Sequence, residues 1–231
     1  MQFSQNFYNL QSFSSLDLAY KHVGILGGSF NPPHKGHLAI SLKALEMGLD
    51  NILWLVVPQN NLKPVYKYNL DKRIELCCEL TKNHPRILVS NLELDIPSTN
   101  SFATLEYLTQ HLPKTKFIWL MGVDCLKEFH LWENYDKLPT LVDMIIFNRE
   151  SYTELLDDSI AGLMLKTKYN YAIPPEEWQQ NNEAKTWTRD YAEMKPFEDV
   201  TSNGVKHKLV FVRDILSSMS STEIRQQLEN K

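Results

Sequence analysis

The sequence predicts an α/β fold, a doubly wound parallel sheet of five to six strands with helices on both faces. Three observations predict it. Continuous apolar runs, too unbroken for a sheet with one wet face, alternate along the chain with segments of helical spacing. The first apolar run ends at two glycines and leads through a short polar loop into a helix. The loops richest in chemically capable side chains all follow strands. That is the carboxyl edge at which open parallel sheets bind ligands.

Val23–Leu26 is the first strand, and Gly27-Gly28 breaks it. The loop Ser29-Phe30-Asn31-Pro32-Pro33-His34-Lys35-Gly36-His37 is stiffened by its prolines and opens into helix 38–45. The apolar run 51–57, bounded by Asp50 and Pro58, reads as a buried strand, followed by the loop Gln59 to Pro64 and a helix over 69–83. Strand 85–90, helix 101–111 ending at Pro113, strand 116–122 and strand 141–147 continue the alternation. Alternation of this kind implies βαβ units with right-handed crossovers. Residues 151–207, with Pro174-Pro175 and a Gln/Asn-rich patch, are long for a plain connection and read as a variable insertion. A strand over 208–213 and a final helix over 222–228 close the domain, which spans 21–231. Residues 1–20 read as an extension ahead of it, with no role assigned.

Composition bounds the function. The 231 residues suffice for one full core, and 43% hydrophobic with 23% charged residues is ordinary for a soluble enzyme. A net charge of −4 leaves no excess of Lys and Arg to neutralise a nucleic-acid backbone. No apolar run is long enough to span a membrane, and the first twenty residues hold no Lys or Arg, so neither membrane nor secretion is expected. Cys77, Cys78 and Cys125 form neither a disulfide framework nor a C-x-x-C metal site, which points to the cytoplasm.

A strand, glycine turn and helix N-terminus gather backbone N–H groups and a positive helix end at one point, a site for phosphate. Gly27 and Gly28 are expected there for conformational freedom and close approach to a ligand. His34 and His37 add donors at the mouth of the helix. The pattern lacks the dinucleotide fingerprint and the Walker loop. As half of a zinc site, His34 and His37 lack a third ligand nearby in sequence. Near the C-terminus, Ser220-Ser221-Thr222-Glu223-Ile224-Arg225 is a capping box, and its hydroxyls and guanidinium could equally cradle a polyphosphate.

The run Gly28-Ser29-Phe30-Asn31-Pro32-Pro33-His34-Lys35-Gly36-His37 resembles the Gly-Ser-Phe-Asn-Pro-x-His-x-Gly-His signature of the nucleotidyltransferase superfamily. Met219-Ser220-Ser221-Thr222 to Arg225 is similar to its Ile-Ser-Ser-Thr-x-x-Arg signature, with Met for Ile. Gly122-Val123-Asp124-Cys125-Leu126 with Phe129, Trp132 and Tyr135 is similar to the pattern of bacterial nicotinate-nucleotide adenylyltransferases. The resemblance covers most of 21–150 and 208–229. It implies a Rossmann-like domain that joins ATP and nicotinate mononucleotide, with Mg²⁺ and no covalent intermediate. By the same resemblance His34, His37, Lys63 and Arg225 are catalytic. Gly27, Gly28, Ser29, Phe30, Asn31, Gly36, Gly122, Asp124, Ser221 and Thr222 bind ATP or its phosphates. Trp132, Ser101 and Thr104 serve the nicotinate nucleotide, although Thr99-Asn100-Ser101 departs from the family's Ser-Tyr-Thr. Pyridine-ring stacking by Trp132 stands against its reading as plain core. The expected partners are the two small substrates, without nucleic acid or membrane, and a homo-oligomer is compatible with the family. NMN or phosphopantetheine as substrate, or a binding protein without catalysis, are the alternatives.

Overall fold

The computed structural model describes residues 6–19, 21–58, 66–96, 100–149, 158–168, 200–202, 205–207 and 209–216. In chain order these form β1 (Phe7–Tyr8), α1 (Leu10–Ser14), β2 (His22–Gly28), α2 (Lys35–Glu46), β3 (Asn51–Val56), α3 (Leu70–Thr81) and β4 (Ile87–Ser90). A 3₁₀ turn (Leu92–Asp95), α4 (Ser101–His111), β5 (Lys116–Gly122), α5 (Leu126–Phe129) and β6 (Asp143–Arg149) follow. A helix over Ile160–Lys168, then β7 (Val200–Ser202), β8 (Val205–His207) and β9 (Leu209–Leu216), complete the described elements.

Seven strands form one sheet in the order β1-β4-β3-β2-β5-β6-β9, parallel at every pairing. From β2 the chain builds outward through β3 and β4, then crosses back to lay β5 on the other side of β2 and continues to β6 and β9. The direction of winding reverses between β2 and β5, which opens a crevice at their carboxyl ends. Alternate strand residues feed two apolar cores. Val23, Ile25, Leu53, Leu55, Phe117 and Trp119 pack with Leu105 and Leu108 of α4 on one face. Leu26, Ile52, Trp54, Val56, Ile118 and Leu120 pack with Ile40 and Ala44 of α2 and Ile74 and Cys77 of α3 on the other. Burial on both faces is why these strands read as unbroken apolar runs.

The sheet has one strand more than the five to six expected. The additional strand is β1, which pairs parallel with β4 through Phe7 with Val89 and Tyr8 with Ser90. Two residues are too short to leave a periodic signal. The segment behind β1 is packed in: Phe13 is 0% exposed and Leu18 is buried. The Leu10 N–H donates to Asp95 Oδ2 at 3.3 Å, tying this segment to the turn after β4.

Other boundaries move by a few residues. β2 continues through both glycines, β6 is Asp143–Arg149 rather than 141–147, and β9 reaches Leu216. Within the expected insertion lie the helix Ile160–Lys168 and the antiparallel hairpin β7–β8. His207 of that hairpin and Lys116 both reach buried Asp143, with Nδ1 3.2 Å and Nζ 2.9 Å from Oδ1. This cluster sits at the amino ends of β5 and β6, the edge opposite the crevice. The expected final helix over 222–228 lies outside the described residues.

Truncating a fully buried Phe side chain costs about 3–5 kcal/mol. Phe13→Ala is therefore expected to lower unfolding stability by about that amount, read from the denaturant midpoint. A loss below about 1 kcal/mol would mean that this segment contributes little to the core.

Candidate active site

The turn after β2 is shaped by packing on both sides. Gly27 and Gly28 lie inside the strand, and among the described residues Gly48, at φ 95°, is the glycine in the left-handed region. Freedom of φ is therefore not what the two glycines provide. A Cβ on Gly27 would lie 2.5 Å from Cη2 of Trp119, and one on Gly28 would lie 3.3 Å from Cε2 of Phe30. Gly27 makes room for the indole of the neighbouring strand, a tertiary requirement that the expectation of a ligand approach did not include. The left-handed residue of the turn is Phe30, at φ 44°. Such a backbone costs a non-glycine residue about 1–3 kcal/mol and persists only where packing enforces it. Here the Phe30 ring, 1% exposed, stacks on Trp54 at 4.9 Å and 15°. Its side chain belongs to the core, so Phe30 can offer a phosphate only its backbone.

Helix α2 begins earlier than position 38, because His34 is its N-cap. The Gly36 N–H donates to His34 Nδ1 at 3.1 Å, and the His34 N–H donates to His37 Nδ1 at 3.1 Å. This is a reciprocal capping box built from two imidazoles instead of a hydroxyl and a carboxylate. Its chemical consequence is a tautomer. A ring nitrogen that accepts a hydrogen bond carries no proton, so each neutral imidazole bears its proton on Nε2. The rings lie 3.7 Å apart at 37°. Phe30 supports His37 from below at 4.7 Å, the His37 carbonyl accepts from Ser41 Oγ, and Ser41 Oγ accepts from Trp54 Nε1 at 2.7 Å.

Helix α3 holds the same turn from behind. Asn31, 4% exposed, accepts from the Tyr68 N–H at 3.1 Å. Arg73, 1% exposed, donates through Nη1 to the carbonyls of Ser29 (2.7 Å) and Val57 (2.8 Å), and through Nη2 to that of Pro58 (2.7 Å). Burial draws its guanidinium below the ordinary arginine range, and Tyr66 opposes that pull. Sequence reading missed Arg73. The available signal was one cation among Leu70, Ile74, Cys77 and Cys78 on the helix face that meets the sheet.

Across the crevice, Gly122 ends β5 and caps the 3₁₀ turn Val123–Cys125, which carries half-buried Asp124. Trp132 packs edge-on against Trp119 (6.0 Å, 89°) and Phe129 (5.2 Å, 75°). Since Trp119 also meets Gly27, the two strands and Trp132 form one continuous contact. Asn100 caps α4 and donates to Glu133 Oε2 at 3.1 Å, which brings Ser101 at the helix start toward the Trp132 turn. Thr104 is buried, its hydroxyl donating to Glu93 Oε1 at 2.9 Å, so it acts within the protein and presents no surface to a nucleotide. Lys63, Ser221, Thr222 and Arg225 lie outside the described residues.

Glu93 is the other residue missed, because Leu92-Glu93-Leu94 looks like any polar–apolar alternation. It is 1% exposed and its Oε2 has no hydrogen-bond partner among the described residues. Desolvation raises its pKa to about 7, with the Thr104 hydrogen bond opposing. The folded chain thus keeps a proton that the unfolded chain releases near pH 4.5. The stability this contributes is complete below that pH and is lost as pH rises through about 7. Glu93→Gln keeps the acceptor for Thr104 and removes the titration. Melting temperatures from pH 4 to 8 should therefore fall in the native protein relative to the variant, by the equivalent of about 2–3 kcal/mol. Parallel curves would refute this origin of the pH dependence.

The chain matches the cytidylyltransferase-like family over residues 25–227. A relative from Cereibacter sphaeroides named "Probable nicotinate-nucleotide adenylyltransferase" is 38% identical over 160 residues, covering 67% of this chain and 79% of its own. A relative of the same name from Methylorubrum extorquens is 39% identical over 133 residues, covering 57% of this chain and 71% of its own. Among solved structures, the Plasmodium falciparum nicotinic acid mononucleotide adenylyltransferase complexed with NaAD superposes with a TM-score of 0.60. That match is 19% identical and covers 89% of this chain and 83% of the other, a likeness of fold. The paired imidazoles at the β2 turn, the crevice between β2 and β5 and these matches agree: the chain belongs to the cytidylyltransferase-like family and, within it, to the nicotinate-nucleotide adenylyltransferases.

Proposed function

We propose that this chain transfers the adenylyl group of ATP to nicotinate mononucleotide, giving deamido-NAD and pyrophosphate in NAD biosynthesis. The observation that carries the reading is the imidazole capping box of His34 and His37 at the carboxyl end of β2, in a member of this family.

The chemistry follows from what the turn offers. An oxygen of the substrate's 5′-phosphate attacks the α-phosphorus of ATP in line, and the bond to the bridging oxygen of pyrophosphate breaks. The nucleophile belongs to the substrate, so the protein positions the groups and stabilises charge. His34 and His37 donate from Nε2 to the phosphates, in a tautomer set before ATP arrives, so little reorganisation is needed in the transition state. Backbone N–H groups at the start of α2 and its positive end act on the same anion. Asp124 binds a nucleotide ribose, Trp132 stacks on the pyridine ring, and Ser101 adds a hydroxyl from the start of α4. Lys63 and Arg225, with Ser221 and Thr222, take the β- and γ-phosphates.

Mg²⁺ enters this reading on the triphosphate. The turn presents imidazole and backbone N–H groups, which suit phosphate oxygens, whereas a hard divalent cation prefers the oxygens themselves. When bound it supplies charge neutralisation on the leaving pyrophosphate. We place the enzyme in the cytoplasm, in keeping with the free thiols Cys77, Cys78 and Cys125.

Pyrophosphate release with ATP and Mg²⁺ tests the reaction, run in parallel with nicotinate mononucleotide, NMN and phosphopantetheine. Turnover with the first and little with the others is expected. ATP binding with no turnover on any of them would leave a nucleotide-binding protein instead. His37→Ala should lower kcat at least about 100-fold. It should also cost about 1 kcal/mol of stability, because half of the capping box goes with the ring. A folded His37→Ala with native turnover would remove His37 from the mechanism.

A further inference from the structure

We infer that Arg73 is a positioning residue for adenylyl transfer: one buried guanidinium sets the imidazole turn after β2 and the loop after β3 in fixed relation. The inference rests on the adenylyl-transfer reading above.

The geometry is specific. Arg73 rises from the first turn of α3 and is 1% exposed. Nη1 bridges Ser29 and Val57, backbone carbonyls from two different loops, at 2.7 and 2.8 Å. Nη2 holds Pro58, the next carbonyl of the second loop, at 2.7 Å. On the far side of the segment that carries Lys63, the ring of Tyr66 lies 4.5 Å from Arg73 Cζ. The guanidinium therefore joins the exit of β3, at Val57 and Pro58, and the ring of Tyr66 to the start of the imidazole turn. Ser29 directly precedes Phe30, the left-handed residue whose ring supports His37. Held by Arg73 at one residue and stacked on Trp54 at the next, the backbone has no slack with which to relax Phe30. The partners of Arg73 explain why it is an arginine. A lysine ammonium has three donors at a point, whereas a guanidinium presents them in a plane, spread over two nitrogens.

A buried cation held by neutral carbonyls through Nη1 and Nη2, with Nε unpartnered among the described residues, is costly beside an apolar helix residue. A role confined to stability would be met by a methionine of similar length, while fixing carbonyls of two loops requires fanned donors. Misplacement of reacting groups by about 1 Å can cost about 100-fold in rate. Arg73→Met should therefore lower kcat by about tenfold or more, with the KM for nicotinate mononucleotide little changed. Arg73→Lys should recover part of that loss.

The test is a double-mutant cycle with His37→Ala, read in kcat, with melting temperatures recorded for every variant. If Arg73 acts through the turn, its removal costs markedly less in the His37→Ala background than in the native one. Equal fold-losses in both backgrounds, or native kcat in a folded Arg73→Met, overturn the inference. Should Arg73→Met not fold, Arg73→Lys takes its place, and native kcat there overturns the inference. If the native protein turns over none of the three substrates, the activity reading has failed and the same variants are compared in ATP affinity by calorimetry. A weakening of about tenfold then supports a positioning role toward the nucleotide, and unchanged affinity overturns it.

Discussion

The start of α2 is the constraint from which the site follows. The first N–H groups of a helix have no intrahelical partner and must be met by something else. In this chain they are met by imidazole nitrogens, the Gly36 N–H by His34 and the His34 N–H by His37. One choice of cap thus does two things. It ends the loop and starts the helix, and it consigns each ring proton to Nε2. A serine cap would have started the helix as well without placing a ring N–H at the turn. The support beneath the pair is continuous, from Phe30 to Trp54, from Trp54 to Ser41, and from Ser41 to the His37 carbonyl. The geometry of the imidazole turn is therefore packed into the core of the sheet.

The reversal of winding between β2 and β5 decides what faces that turn. Trp119 on β5 fills the space left by the missing side chain of Gly27, and Trp132 stands edge-on against it. The ring assigned to pyridine stacking is thereby connected by direct contact to the strand that carries the histidines. Edge-to-face aromatic packing of this kind is directional and fixes the angle of the outer ring. Trp132 is thus registered against the imidazole turn through Trp119 and Gly27.

Two buried ionisable groups, Arg73 and Glu93, flank this assembly, and both are matched with neutral partners. Arg73 has three backbone carbonyls and Glu93 one hydroxyl. Desolvation dominates for each, pulling the guanidinium down and pushing the carboxyl up to about 7. Neither group is needed to fill a core, where an apolar side chain would be cheaper. Both sit where loops leave the carboxyl ends of strands, Arg73 under the exits of β2 and β3 and Glu93 just past β4. Holding irregular backbone is the work of Arg73, whereas Glu93 meets a side-chain hydroxyl of α4. A carbonyl in a loop has no ladder neighbour, and a charged donor satisfies it strongly.

Local order was legible in the sequence wherever a side chain is decided by its own neighbourhood. The unbroken apolar runs declared strands buried on both faces. The glycine turn with His34 and His37 was legible as the end of the first strand and the start of a helix. The strand Phe7–Tyr8 left no signal, because two residues make no period and it exists only by pairing with β4. Gly27 was visible as a glycine, but its reason was not, since that reason is an indole more than ninety residues away. Phe30 and Thr104 fell inside matching motifs, yet the fold turned both side chains into the protein. The sequence by itself determined the alternation of elements, the imidazole-bearing turn after the first long strand and the chemistry its residue types can perform. Only the tertiary structure decided which buried charge holds the loops, because the carbonyl partners of Arg73 are distant in sequence and are chosen by packing; the imidazole cap is local, and it took the backbone geometry of the turn to show which ring nitrogen accepts.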